Sequence, residues 1–240
     1  MFGWRARIGF ISPGTSAIHT SALEMEMAAP EGVLLVSKFL NGPKSVSPEH
    51  CREMFPQIDP AARALVSKSE IDVMVMGGAP LCLAIGPEKV KEALESATGL
   101  PSTTNVEGIV NGLRRLGLQR ITVLTPYYKE DMAALVREYL EGAGIEIVAL
   151  STGAVEFGTH KDRPQEMNYR LAKKAFLDGP PSDGLVIVGG GTPLHKVIET
   201  LETDIGKPVV ANNFASLWGA LTLANVRTPI TGYGKLLTCF

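Results

Sequence analysis

The sequence of 240 residues contains little of what several common protein classes require. Its three cysteines are an odd number whose spacing fits no metal-site pattern, so a disulfide framework is not expected. Its four histidines form no HxH or HxxxH pair, which argues against a zinc site built by the protein. The longest apolar runs are strand-sized, too short for a bilayer, and the first residues lack a signal-peptide pattern. We therefore expect a cytoplasmic location and no metal site.

The charge balance is close to neutral. The formal net charge is −2, and charged residues make up 20% of the chain against 45% hydrophobic residues. Such a composition is ordinary for a globular protein and gives no bulk attraction to polyanions. We expect neither nucleic acid nor a membrane as a partner.

Strand-like apolar runs alternate with helix-like segments along the whole chain. The predicted strands are residues 7–12, 32–40, 71–76, 120–124, 145–150, 184–188 and 208–211. The predicted helices are residues 56–69, 87–98, 106–116, 129–143, 164–177, 193–205 and 214–226. Such alternation is typical of βαβ units with parallel strands.

The series restarts near Gly117. We predict an α/β fold of two Rossmann-like or flavodoxin-like lobes, each with a parallel sheet, related by a pseudo-twofold axis. The first lobe is expected to comprise residues 1–116 plus 213–240, and the second residues 117–212. Because ligands of parallel sheets bind beyond the carboxyl ends of the strands, the active site is expected between the lobes.

Four loops follow predicted strands: SPGTS (residues 12–16), GGAP (77–80), TPYY (125–128) and GGGTP (189–193). Glycine lets a ligand approach the backbone, and a helix that begins after such a loop offers free amides to a small anion. Two facing loops of this kind suit a dicarboxylate. The candidate binding residues lie in these loops: Pro13, Gly14, Thr15, Ser16, Gly77, Gly78, Ala79, Tyr127, Gly189, Gly190, Gly191 and Thr192.

Other interpretations of the same residues remain open. Both glycine loops also fit ordinary tight turns, and neither matches a dinucleotide or Walker motif. Of Tyr127 and Tyr128, one is expected to pack and the other to face the cleft. His160 and His195 are candidate general acids, although surface or helix-face histidines are more common. Cys82 is expected to pack in a helix, while Cys51 and Cys239 lie outside the loops.

Long segments of the chain resemble the aspartate/glutamate racemase superfamily. They are RIGFISPGTS, DVMVMGGAPL, ATGLPSTTNVEGIVNGLRRLGLQRITVLTPYYKEDM, DGLVIVGGGTPL and ITGYGKLL. The combination is most similar to the branch of arylmalonate decarboxylase and maleate cis-trans isomerase. The resemblance implies cofactor-independent chemistry beside a carboxylate, with the substrate held at residues 13–16, 77–79 and 127, and an oligomer of identical chains.

The chain departs from that family at both of its cysteine positions. The first falls on Gly77 or Gly78 and the second on Gly189. Glycine can neither add to a substrate nor deliver a proton, so two-base racemisation and the covalent isomerase mechanism are not expected. We expect a lyase resembling arylmalonate decarboxylase that works through an enediolate, with Tyr127, His195, His160 or water as proton donor.

Two further hypotheses stay open: an isomerase or racemase-like enzyme that uses other groups than thiols, and a paralogue that binds a carboxylate without turnover. For the lyase, an apolar wall is also needed. Its candidates are Phe39, Leu40, Phe157 and Leu194.

Overall fold

The computed structural model describes residues 2–14, 20–42, 45–159 and 163–240. Its strands form two sheets of four parallel strands each. The first sheet contains β1 (Ala6–Gly14), β2 (Val33–Asn41), β3 (Val73–Met76) and β4 (Ser102–Thr104). The second contains β5 (Arg120–Thr125), β6 (Glu146–Thr152), β7 (Gly184–Ile187) and β8 (Val209–Ala211).

Both sheets have the same strand order, which confirms the predicted α/β fold with two parallel sheets. The order is β2-β1-β3-β4 in the first and β6-β5-β7-β8 in the second. Every residue of β3 and of β7 is buried, as expected for inner strands with helices on both faces.

One small contact is repeated in the two sheets. Asp72 precedes β3, and its carboxylate accepts the backbone N–H of Arg7 at 2.7 Å. Asp183 precedes β7, and its carboxylate accepts the N–H of Arg120 at 2.8 Å. The amides bound at Asp183 lower the pKa of its carboxyl, because they stabilise the charged form. The two sheets therefore share the same strand order and also the aspartate contact that joins the start of each inner strand to its neighbour.

The helices connect the strands. They are α1 (Thr20–Ala28), α2 (Pro48–Arg52), α3 (Ile58–Val66), α4 (Ala79–Ile85), α5 (Pro87–Thr98), α6 (Asn105–Arg115), α7 (Glu130–Gly142), α8 (Gln165–Leu177), α9 (Ile198–Ile205) and α10 (Asn212–Leu223). Short 3-10 helices lie at Phe55–Gln57 and Lys235–Thr238. In the described part of the chain, no helix is long and apolar enough to cross a membrane.

The long helices lie close to their predicted bounds, and α5 matches in full. The sequence pattern did not indicate α1, α2 or β4, which are short or lack a clear apolar period. The predicted helix from residue 193 is wrong at its start, since α9 begins at Ile198. The last helix, α10, packs against α6 and α1. The proposed lobe boundaries at residues 116/117 and 212/213 stay a prediction.

Candidate active site

A small cavity lies where the strand-end loops of the two sheets meet. Its volume is about 50 Å³. Its walls are Ser12, Pro13, Ser21, Val46, Cys51, Gly78, Pro80, Leu81, Tyr127, Phe157, Gly190 and Gly191. We call this space the loop cavity. Residues from all four predicted loops contribute to its walls, and it is the candidate active site.

The first glycine loop follows β3 and opens α4. Gly78 has a φ of +79° and precedes the helix, which begins at Ala79. Gly77 is not available to a ligand, because its N–H donates to the Ile11 carbonyl at 2.7 Å. Ala79 is buried and does not line the loop cavity. Of the predicted residues in this loop, only Gly78 therefore reaches the candidate site.

The neighbouring strand β1 supplies the side of the cavity nearest Gly78. Ser12 and Pro13 line it directly. Gly14 ends β1 and is not among the walls. Thr15, Ser16 and His160, which the sequence also suggested, lie outside the described residues.

The TPYY loop places one tyrosine in the cavity wall and the other in the core. Thr125 donates to Thr152 at 2.8 Å, and Thr152 donates to the Tyr128 carbonyl at 2.7 Å, which fixes the loop against β6. Tyr127 lines the cavity, and its hydroxyl accepts the N–H of Gly191 at 3.2 Å. Burial raises the pKa of Tyr127 to about 12, so its hydroxyl is protonated at neutral pH.

Part of the second glycine loop is bound by the protein itself, and the predicted second anion cradle stays a prediction. The N–H of Gly191 goes to Tyr127 and that of Thr192 to the Gly189 carbonyl. Beyond the loop, the N–H groups of Leu194 and His195 both donate to Glu24, at 2.5 and 2.8 Å. Glu24 thus satisfies the two backbone N–H groups that follow the loop, although no helix begins there.

Glu24 is the polar centre of this region and was missed by the sequence analysis. It is 1% exposed on α1. Its other oxygen accepts from Asn213 at 2.7 Å, and Asn213 also donates to the Gly190 carbonyl at 2.9 Å. Ser21, one turn earlier on α1, donates to the same carbonyl at 3.0 Å. No local signal in the sequence marked it, because α1 has no clear apolar period.

His195 is bound on both sides of its ring and does not line the loop cavity. Its Nδ1 lies 3.1 Å from Glu24, and its Nε2 lies 3.0 Å from the side-chain nitrogen of Gln165. The Gln165 oxygen accepts the N–H of Lys196, which orients the amide so that its NH₂ faces the ring. Nε2 is then the acceptor and Nδ1 carries the proton, toward Glu24 and away from the cavity. The geometry therefore gives His195 a structural position.

The positions of the two family cysteines are crowded. A Cβ at Gly77 would lie 2.7 Å from the Phe10 ring, and one at Gly78 would lie 2.4 Å from Pro13. A Cβ at Gly189 would lie 3.0 Å from the Tyr127 ring. Neighbouring side chains thus occupy the room that a thiol would need.

Cys51 lies outside the four loops, as expected, and nevertheless contributes to the candidate site. It lies on α2 and is part of the cavity wall. Cys82, by contrast, is buried behind the first loop, with its Sγ 3.8 Å from the Gly77 carbonyl. Among the predicted apolar residues, Phe157 lines the cavity together with Val46 and Leu81, whereas Phe39, Leu40 and Leu194 do not.

A larger open groove of about 670 Å³ lies between α5, α6 and α7. Its walls include Pro87, Glu107, Arg114 and Tyr139, and none of the strand-end glycine loops reaches it. Within the described residues, no group of histidine, cysteine and acidic side chains is arranged to hold a metal ion. The chemistry-bearing loops therefore point to the small cavity.

Comparison with known proteins assigns the family. The family model of arylmalonate decarboxylase matches residues 37–237. Arylmalonate decarboxylase from Bordetella bronchiseptica is 31% identical over 204 residues, 80% of this chain and 81% of that protein. A maleate isomerase from Geobacillus stearothermophilus is 24% identical over 250 residues, 97% of each chain. The chain belongs to the arylmalonate decarboxylase family.

Solved structures agree with the fold. A mutant of arylmalonate decarboxylase in a sulfate-associated form superposes with a TM-score of 0.81 at 25% identity, covering 96% of this chain and 99% of that one. The maleate isomerase Iso from Pseudomonas putida S16 gives 0.82 at 24% identity, covering 97% and 98%. The chain is therefore a member of an enzyme family that includes decarboxylases and isomerases.

Proposed function

We propose that this protein is a cofactor-independent decarboxylase of a malonate-type acid, acting through an enediolate. The observation that carries the proposal is the mixed lining of the loop cavity. Its walls combine Ser12 and Tyr127, which bear hydroxyls, with the apolar residues Val46, Leu81 and Phe157. One carboxylate can thus be held while the other faces an apolar wall.

This arrangement fits the demands of the reaction. Loss of carbon dioxide leaves an electron pair on the α-carbon, which spreads into the remaining carboxylate. Hydrogen-bond donors that already point at that carboxylate stabilise the new charge without reorganising. An apolar wall disfavours the charged state of the leaving carboxylate and so favours its release. Tyr127 is a suitable donor, since burial keeps its hydroxyl protonated.

The second hypothesis is that the protein binds a carboxylate without turnover. Its support is that position 189 is glycine rather than cysteine and that the first loop has no room for a thiol.

An isomerase without thiols has weaker support in the cavity. Two facing carboxylate sites would serve a dicarboxylate such as maleate, but the amides of Gly191 and Thr192 are used within the protein. The decarboxylase needs only one such site.

The test is turnover by the purified protein. Malonate, methylmalonate, phenylmalonate, maleate and aspartate are incubated separately in D₂O, and released carbon dioxide and deuterium at the α-carbon are measured. We expect carbon dioxide from a malonate and one deuterium in its product. Conversion of maleate without carbon dioxide would instead support the isomerase. Ligand-induced thermal stabilisation without conversion or exchange would support the binding protein.

A homo-oligomer and a cytoplasmic location also belong to the proposal. Light scattering of the purified protein and fractionation of cells test them. Neither measurement decides the reaction.

A further inference from the structure

The cavity contains a thiol that comes from an element outside the glycine loops. Cys51 is the one buried residue of α2, a short helix that Ser47 caps by accepting the N–H of His50 at 3.4 Å. Cys51 is 1% exposed and lines the loop cavity together with Tyr127, Gly190 and Gly191. It is a free cysteine.

A second buried group lies beside this thiol. Tyr128 is completely buried, and its hydroxyl interacts with the hydroxyl of Tyr127. The rings of Tyr127 and Tyr128 meet edge to face with centroids 5.1 Å apart. Burial raises the pKa of Tyr128 well above its ordinary value, and negative charge on Tyr127 or Cys51 would raise it further, which places both groups close to its hydroxyl.

The surroundings keep the Cys51 thiol protonated. Its pKa is raised to about 12, mainly by burial; the Arg52 guanidinium opposes this rise, and Asp131 adds a smaller contribution to it. A thiol of this kind is a weak nucleophile at neutral pH, since the thiolate is the reactive form. It still carries a proton that it can give to a strongly basic carbon.

We propose that Cys51 is the catalytic acid of this site and protonates the α-carbon after decarboxylation. This inference rests on the proposed decarboxylase function. The bond between the α-carbon and the departing carboxylate breaks, and its electron pair enters the enediolate. That pair then forms a C–H bond with the proton of the Cys51 Sγ–H, leaving a thiolate. Water returns the proton to sulfur, and the resulting hydroxide combines with carbon dioxide as bicarbonate.

The proposal separates the tasks of Cys51 and Tyr127. The Tyr127 hydroxyl accepts from Gly191 and keeps its own proton to donate to the carboxylate that stays bound. Cys51 belongs to α2, a different element from the loop that carries Tyr127. The Cys51 thiol would thus take the place of the two family cysteines, whose positions in this chain are glycines, Gly189 and a glycine of the first loop.

The experiment compares Cys51→Ala and Cys51→Ser with Cys82→Ala and Cys239→Ser, which remove the two thiols outside the cavity. For Cys51→Ala we expect kcat to fall by about 100-fold or more, with KM changed less than about threefold. The two control variants should retain kcat within about threefold. The malonate that the wild type decarboxylates should still raise the melting temperature of Cys51→Ala, showing an intact site.

Product stereochemistry gives a readout that a purely structural role would not change. With a prochiral disubstituted malonate, the wild type should give one enantiomer, because the proton comes from one fixed side. Residual turnover by Cys51→Ala should give a racemate, because water then supplies the proton. Cys51→Ser keeps the size of the side chain with a weaker acid and should behave similarly, which covers the case in which Cys51→Ala does not fold.

The possible failures are distinguishable. If the wild type decarboxylates a malonate and both Cys51 variants retain more than about a third of its kcat with unchanged stereochemistry, Cys51 is not the acid and the decarboxylase stands. If the wild type releases no carbon dioxide from any malonate, the decarboxylase itself is wrong, and the role of Cys51 falls with it.

Discussion

The carboxylate of Glu24 and the imidazole of His195 form a buried contact between the first and second halves of the chain. Their Oε1 and Nδ1 atoms are 3.1 Å apart, and the same oxygen accepts the backbone N–H of His195 at 2.8 Å. Glu24 is also bound by Asn213, which reaches the Gly190 carbonyl. The position of the second glycine loop therefore depends on a side chain from α1, distant in sequence.

Replacing Glu24 should destabilise the protein strongly. Glu24→Ala leaves the N–H groups of Leu194 and His195 and the Asn213 amide without their acceptor in a buried place. We expect the free energy of unfolding to fall by about 3 kcal/mol or more. Urea unfolding measures this change. The matched control is Glu26→Ala on the exposed face of the same helix, which should cost less than about 0.5 kcal/mol. Equal losses in the two variants would show that Glu24 does not hold the loop.

His195 should be dispensable for the chemical step. His195→Asn can still donate to Glu24 and loses only the contact with Gln165. We expect a stability loss of about 1 kcal/mol. The expected change in kcat is less than about threefold, against 100-fold or more for loss of a general acid. Steady-state decarboxylation kinetics test this, with His50→Asn as a control, a histidine bound to Ser45. A 100-fold loss of kcat in His195→Asn alone would make His195 the proton donor.

The contrast between the predicted fold and the predicted site has a physical origin. Strands such as β3 and β7 are visible in the sequence because burial on both faces requires continuous apolar runs. The site depends on contacts between distant segments, which leave no local pattern. Glu24 lies on a helix without a clear apolar period, and Cys51 lies on a five-residue helix. Tyr127 was predictable because it directly follows a strand, where parallel sheets bind ligands.

The first family cysteine position should resist any side chain. In Gly77→Ala the new Cβ would lie 2.7 Å from the Phe10 ring, which is itself 1% exposed and cannot move freely. We expect the free energy of unfolding to fall by about 1–3 kcal/mol. Gly142→Ala is the matched control, because nothing lies within 4 Å of its Cβ in α7, and it should stabilise by about 0.5 kcal/mol. Thermal unfolding of both variants decides the point. A stable Gly77→Ala would mean that the loop has room for a thiol.

Stability should fall in alkaline solution because of the buried acids beside the cavity. In the unfolded chain Cys51 and Tyr127 ionise near their ordinary pKa values of 9.0 and 10.0, while in the fold both pKa values are about 12. Above pH 9 the unfolded state therefore loses protons that the folded state keeps, and the free energy of unfolding decreases until about pH 12. These shifts correspond to at most about 4 kcal/mol for Cys51 and about 3 kcal/mol for Tyr127. Urea unfolding from pH 8 to 11 should show a shallower fall for Cys51→Ala than for the wild type. Cys239→Ala should follow the wild-type curve, and an identical slope in all three proteins would contradict the buried Cys51 thiol.

Removal of the Tyr127 hydroxyl should weaken substrate binding and catalysis together. Tyr127→Phe deletes the acceptor of the Gly191 N–H and the hydroxyl that faces the loop cavity. The ring remains, so its contacts with Tyr128 and Phe157, at centroid distances of 5.1 and 6.1 Å, are kept. We expect kcat/KM to fall by about 100-fold, because this donor also acts on the charge that forms during decarboxylation.

The matched control is Tyr139→Phe, in the separate groove between α5, α6 and α7, which should leave kcat/KM unchanged. If Tyr127→Phe raised only KM, Tyr127 would bind the substrate and the enediolate equally. In that case its hydroxyl would not stabilise the reaction, and the donors of the reactive carboxylate would have to be sought at Ser12 and Gly78.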